Sequence, residues 1–529
     1  KCQTIDFGAF KGCSQLSNVT FTSCQYVGKD TFNECSDTLT GEFGHTIVTN
    51  ENGVGLKDVS NLKLPNCSYI ENGMFNGCEK LKSIELNNTN FKTIESNTFR
   101  NCCNLYQINT SSCVSIGDGA FYGCSSLTTI SFPKCRKIGN SVFNTCENLS
   151  QINLPKCTSI GSSAFRWCKN MTTIILNSSI PLINENTFLH CEKITFVSLP
   201  SCSMIKNGGF QHCSGLTGVN FSLCTSIGDY VFRGCSSLTT ISFPNCQTIG
   251  NNAFKDCTSL SMITSSINTF PLCSSIGNGA FGGCSGLTEV DFPLCTNVGS
   301  GAFYGCSNLS VVNLPKCQII SSDNLNNISS NANITLGINT LTSYIVNDKQ
   351  PGQTLNLPSL TKIGDYCYKN SLITSIKYSN VTEIGNEAFR GCVSLPSVSF
   401  NNCTSMGVNV FTGCAILKSV HLPSCTSIPS GTFDGCVSLT TISIPNCETI
   451  GSDAFWGCVN LSVITSSKNS LPKCRIVGDG AFGGCYLTNV ELPKCTTIGD
   501  NVFTISESYY YGINPIEDED GLDSTPSID

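Results

Sequence analysis

The residues with the most chemical capacity in this sequence are its 37 cysteines. In FPKCRKIGNSVFNTCENLSQINLPKCTSIGSSAF, residues 132–165, Cys135, Cys146 and Cys157 follow one another at every eleventh position. Thiols at that density either build a disulfide framework or pack as small hydrophobes. The elements that carry them decide which.

Alignment on the thiols gives a 22-residue unit, L-x-x-I-x-L-P-x-C-x-x-I-G-x-x-A-F-x-x-C-x-x, clearest at 149–170. Its first half, Leu149, Ile152, Leu154, Cys157 and Ile160, fits the leucine-rich repeat pattern, and about twenty-one such coils run through the chain. One coil cannot bury its own apolar face, so Ile152 and Leu154 become interior only when stacked on Ile130 and Phe132 of the coil before. Alternation in L-x-x-I-x-L predicts one short strand per coil, stacked as a parallel sheet. A second short extended segment follows at Ser159-Ile160, with Gly161 allowing the corner. Ala164-Phe165 then drives a ring into the core from the opposite side, through short helical turns. The expected fold is therefore a β-dominated leucine-rich repeat solenoid, roughly 100 Å long at about 4.8 Å per coil.

Both thiol classes face inward in this scheme. Cys124, Cys135, Cys146, Cys157, Cys168, Cys235, Cys246, Cys425, Cys436 and Cys447 are read as a structural ladder. Equivalent cysteines in successive coils would stand about 5 Å apart with parallel side chains, wider at Cβ than the ~3.8 Å a disulfide prefers. An odd total and an unbroken ladder also favour thiols. Where the first thiol is missing, Phe91, Ile180 and Leu360 replace it, as packing requires. Cys103 follows the in-register Cys102 and is read as an exposed, reactive thiol.

The blocks are 1–317, with an insertion near 36–62; an irregular insertion or bend at 318–356; and a second repeat block at 357–503. A cap and acidic tail follow at 504–529. Cys191 through Cys257 and Cys392 through Cys458 share one spacing at a 201-residue offset, and segments 191–295 and 392–495 read as duplicated.

The unit P-x-C-x-x-I-G-x-x-A-F-x-G-C-x-x-L-x-x-I, present at 133–152, 244–263 and 445–464, resembles the BspA-like leucine-rich repeat family. That resemblance implies a right-handed solenoid of the kind found on surfaces of anaerobic or mucosal bacteria and parasitic protists, and on phage-borne proteins. It also implies adhesion, host-protein binding and aggregation. It brings no catalytic motif to transfer.

Few other residues could carry chemistry. His190 and His212 each precede an in-register cysteine and should stack at about 5 Å; a two-histidine metal site is conceivable but lacks a third ligand. His421 has no nucleophile or acid partner. Asp118, Asp229, Asp365, Asp479 and Asp500, in I-G-D turns, read as solvated corners, with a calcium ladder the lesser alternative. Trp167 and Trp456 read as packing residues. No cofactor and no catalytic or metal residues are assigned.

The natural binding surface is the outward strand face, and Gln151, Asn153, Thr173, Thr240, Ser242, Glu289, Asp291, Ser419, His421, Thr441 and Ser443 are its candidate contacts. Only 13% of the chain is charged and the net charge is −7, so no basic surface suits nucleic acid. No apolar run of eighteen or more residues suggests membrane insertion. The expected function is a non-enzymatic extracellular or cell-surface scaffold that binds a protein or glycan. The alternatives are self-association into filaments, to which a chain opening inside a coil at Lys1 lends some weight, and ice binding through Thr129/Ser131, Thr240/Ser242 and Thr441/Ser443.

Overall fold

The structure is a computed structural model that describes residues 1–263, 270–318, 320, 322–325, 327–342, 354–465 and 469–504. It is a β-solenoid of about twenty-one turns, each adding one layer to stacks of parallel strands. Two compact units divide the chain, one comprising Lys1–Ile338 with Asp348–Leu357, the other Asn339–Asn347 with Pro358–Asp529.

The coil at 149–170 shows how the sequence builds a layer. Gln151–Leu154 pairs in register with Thr129–Ser131 before it and Thr173–Leu176 after it, all parallel. Ile152 and Leu154 point inward and are buried, while Gln151 is exposed and Asn153 half-buried. The chain turns at Cys157 and re-enters a second parallel sheet at Ser159–Ile160, paired with Lys137–Ile138. Gly161 follows because its neighbour one coil back is too close: a Cβ there would collide with the carbonyl of Gly139.

The third side differs from the helical turns that the sequence suggested. Among the described residues the helical segments are the 3-10 turns Val54–Asp58 and Ser322–Leu325. The A-F-x-x-C segment is instead a non-helical wall bounded by two left-handed residues, Ser141 (φ 53°) and Thr145 (φ 60°) in one coil, Ser163 (φ 57°) and Trp167 (φ 62°) in the next. Left-handed backbone every fourth residue stops helix propagation. The N–H groups of Ser141, Phe143 and Thr145 donate across to the carbonyls of Ser162, Ala164 and Arg166, each at 2.8 Å. Between them, Asn144 and Cys146 close three-residue turns on Ser141 and Phe143. Alternating the two bond types satisfies the backbone of the wall without a helix.

Inside, the phenylalanines of the wall stack coil upon coil, with centroids 5.4 Å apart for Phe121/Phe143 and 5.5 Å for Phe143/Phe165, nearly parallel. Such pairs contribute about 0.5–1.5 kcal/mol beyond their buried area. The ten ladder cysteines are buried free thiols. Those of the wall donate to the carbonyl of a phenylalanine one coil back, Cys146 to Phe121 and Cys168 to Phe143, both at 3.1 Å. Those after the strand donate within their own coil, Cys135 to Lys137 and Cys157 to Ser159, both at 3.3 Å. Burial pushes the Cys135 thiol up to about 12, far from reactivity at neutral pH. Phe91, Ile180 and Leu360 occupy the same interior.

Candidate functional site

The outward strand residues line two shallow grooves, one in each unit. The larger, about 600 Å³, crosses the coils between Tyr106 and Ile175. The parallel register that stacks the core also fixes this face. Thr129 lies beside Gln151 and Gln151 beside Thr173, while Ser131 lies beside Asn153 and Asn153 beside Ile175. The Asn153 amide donates to Ser131 Oγ at 3.3 Å, and Gln107 and Asn109 extend the amide row toward Tyr106. Tyr106, 49% exposed, closes one end, and Ile175, 50% exposed, closes the other. No lining residue is charged, and the Tyr106 phenol is the single titratable group.

The second groove, about 440 Å³, gathers Ser419, His421, Thr441 and Ser443 with Ser397 and Ser399. Ser397, Ser419 and Thr441 form one row across adjacent strands, and Ser399, His421 and Ser443 the other. His421 is its single titratable group.

The remaining candidates stand apart from both grooves. Thr240 and Ser242 lie beside Gly218 and Asn220. Glu289 and Asp291 are half-buried beside Val311 and Asn313, and Asn313 Nδ2 donates to Asp291 Oδ1 at 2.7 Å. The threonine rows wanted for ice binding are broken in register, because Gln151 separates Thr129 from Thr173, Thr240 lies between Gly218 and Met262, and Thr441 lies between Ser419 and Val463. Tyr106, Gln107 and Asn109 were not singled out from sequence. Gln107 and Asn109 carry the outward signature, but Tyr106 lies just before its strand, where the period-two pattern says nothing.

Several residues with chemical capacity are occupied structurally. The carboxylates of the I-G-D corners accept backbone N–H groups from the following coil: Asp118 from Asn140, Asp229 from Asn251 and Asp365 from Asn386, each at 2.7 Å, and Asp479 from Asp500 at 2.8 Å. They act as inter-coil staples. His190 and His212 do stack, with ring centroids 4.7 Å apart. Cys103 is half-buried rather than exposed, its backbone carbonyl accepting from the Ser125 hydroxyl at 3.2 Å; the exposed thiols are Cys2 and Cys13. Among the described residues no group of three histidine, cysteine, aspartate or glutamate side chains is placed to hold a metal ion. None of their helices is long and apolar enough to cross a membrane. The acidic tail falls outside the described residues, as does the stretch at 343–353.

A repeated wall-and-strand coil with this signature defines a leucine-rich repeat solenoid. The chain belongs to the BspA-type leucine-rich repeat family, whose pattern matches six stretches, 1–54, 55–165, 136–261, 261–374, 361–471 and 467–511. No curated protein matches it. Among solved structures it is similar to a leucine-rich repeat protein from Bacteroides ovatus, at 24% identity over 72% of this chain and 86% of that one, with a TM-score of 0.42. It is also similar to a leucine-rich cell-surface protein from Faecalibacterium prausnitzii, at 20% identity over 73% and 82% of the two chains, TM-score 0.27. The pneumococcal vaccine antigen PcpA aligns at 14% identity over 88% and 87%, TM-score 0.19.

Proposed function

We propose that this protein is a non-catalytic interaction scaffold, displayed at a cell surface or outside the cell, that binds a protein or glycan through its strand face. The observation that carries this reading is the groove between Tyr106 and Ile175: concave, spanning several coils, rich in amides and hydroxyls, and free of charge. Such a lining favours uncharged ligands held by many short hydrogen bonds and one aromatic contact, without electrostatic steering. A surface location is what membership in this repeat family implies.

The test is binding of the full chain to glycan and extracellular-protein arrays, repeated with Gln151→Ala/Asn153→Ala and with Tyr106→Ala. A ligand whose affinity falls tenfold or more in both variants supports the reading. A ligand that binds all three chains equally places the binding surface elsewhere and overturns it.

A further inference from the structure

The residue before the wall cysteine is left-handed in coil after coil. In the second unit that position is filled by Gly391 (φ 70°), Gly413 (φ 71°), Gly435 (φ 68°) and Gly457 (φ 70°), the residue that tolerates this conformation. Three successive coils of the first unit place Trp167 (φ 62°), His190 (φ 60°) and His212 (φ 58°) there instead. The fold therefore does not need rings at this position, and the chain accepts backbone strain to have them.

The rings form one stack. Trp167 and His190 lie 3.9 Å apart at 13°, and His190 and His212 4.7 Å apart at 18°. Gly234 ends it, since a Cβ at that position would stand 2.5 Å from His212 Nδ1. Several charged groups neighbour the stack. Lys169 Nζ lies 5.1 Å from the centre of the Trp167 ring and 3.4 Å from Glu147, while Glu192 Oε1 stands 3.6 Å from His190 Nδ1. Arg166 acts on His190, and Arg233 and Asp256 act on His212. Both arginine Nε atoms are buried without a partner among the described residues.

We propose that Trp167, His190 and His212 form a proton-operated clasp, closed while both imidazoles are neutral and opened when they become imidazolium. A single imidazolium is still attracted to the Trp167 face, but two cations at the His190–His212 separation, between two arginines, repel. Burial holds both imidazoles below the usual histidine range; the neighbouring His212 lowers His190 further and Arg233 lowers His212, against the opposing pull of Glu192 and Asp256. Because the folded values are depressed, the closed form is fully stable above about 6.5 and is lost as the pH falls through the lower folded values. Opening reaches the backbone directly. The N–H of Trp167 donates to Leu189 at 2.8 Å, that of His190 to Gln211 at 2.9 Å and that of His212 to Arg233 at 2.7 Å, each across to the next coil.

The experiment uses the full chain carrying Trp456→Phe, which leaves Trp167 as the sole tryptophan. Its emission and the amide hydrogen exchange of the 166–213 wall, corrected for intrinsic pH dependence, are followed from pH 8 to 4.5. The expected result is an emission change of twofold or more with a midpoint below 6.5, together with at least tenfold faster exchange at the three turns. Both should vanish in His190→Gly/His212→Gly, a variant that takes the residues the same backbone carries at Gly391 and Gly413. A transition that persists in the double variant overturns the proposal. So does an emission change without faster exchange, which would mean the rings titrate while the clasp stays shut, and so does the absence of any transition.

Discussion

Segments 190–257 and 391–458 run 201 positions apart in matching register, and their interiors are nearly interchangeable. Val197, Phe210, Cys213, Leu216 and Ile241 correspond to Val398, Phe411, Cys414, Leu417 and Ile442, all buried. The surfaces share much less. On the strand face Phe196, Gly218 and Asn220 correspond to Ser397, Ser419 and His421, so an exposed ring gives way to a polar groove. On the wall His190, His212 and Arg233 correspond to Gly391, Gly413 and Asp434. A solenoid separates the two tasks. Residues that touch the neighbouring coil inside are bound to the repeat, and those pointing out are free to diverge.

The comparison is sharpest in the core, where equal losses are expected. Phe232→Ala and Phe433→Ala each remove a ring stacked on both sides, at 5.5 and 5.2 Å in one unit and 5.4 and 5.3 Å in the other. Each should cost about 3–5 kcal/mol of local stability, read by hydrogen exchange. Phe232 also meets Phe221 and Phe243, where the second segment has Leu422 and Ile444, so a clearly larger loss at Phe232 would show that this second phenyl column matters.

A smaller loss is expected from Cys436→Ala, which removes one of two donors to the Phe411 carbonyl, the thiol at 3.1 Å, and leaves a small void while the Cys414 N–H stays bonded there. About 1–2 kcal/mol should disappear, and Cys235→Ala, which removes the corresponding thiol donor to the Phe210 carbonyl, should match it. A serine that recovers part of the loss would attribute that part to the hydrogen bond.

The walls should respond to acid with opposite signs. Burial, reinforced by Asp453, pushes the Asp434 carboxyl up to about 6. A raised carboxylate value means the folded state binds the proton more tightly, so this residue costs stability above that value and the cost fades as the pH falls toward the unfolded value near 4. Asp434→Asn should therefore stabilise the second unit at pH 8 by on the order of 1 kcal/mol, allowing for screening of a partly exposed group, and by nothing at pH 4. An equal gain at both pH values would break the assignment.

The smallest effect belongs to the strand face. Gln151→Ala and Asn153→Ala should shift stability by less than about 0.5 kcal/mol, measured by thermal unfolding. A larger loss would mean that the amide row helps hold the sheet together and is not free to serve a ligand.

Periodicity made the interior legible. The stacking of Ile152 on Ile130 and the approach of His190 to His212 both follow from counting twenty-two residues. The wall was harder to read, because A-F-x-x-C gives four residues between turns and looks like a helical turn until the backbone handedness is known. The glycine before the wall cysteine was the available signal. Its replacement by tryptophan and histidine marks strain, which a reading by polarity alone passes over. Tyr106 escaped for a related reason: it belongs to the rim of a groove that exists only once four coils are stacked.

The buried thiols also bear on how such a chain reaches its folded state. All 37 cysteines are free in the finished solenoid, and most are sealed from oxidants. Before the coils stack, each is an accessible thiol that can capture any other in an oxidising compartment. Folding is then a race between burial and oxidation, won coil by coil as each new layer covers the last. Once denatured in air the chain should fail to return unless reductant is supplied, so its persistence outside a cell would rest on never opening far, on kinetic rather than equilibrium stability.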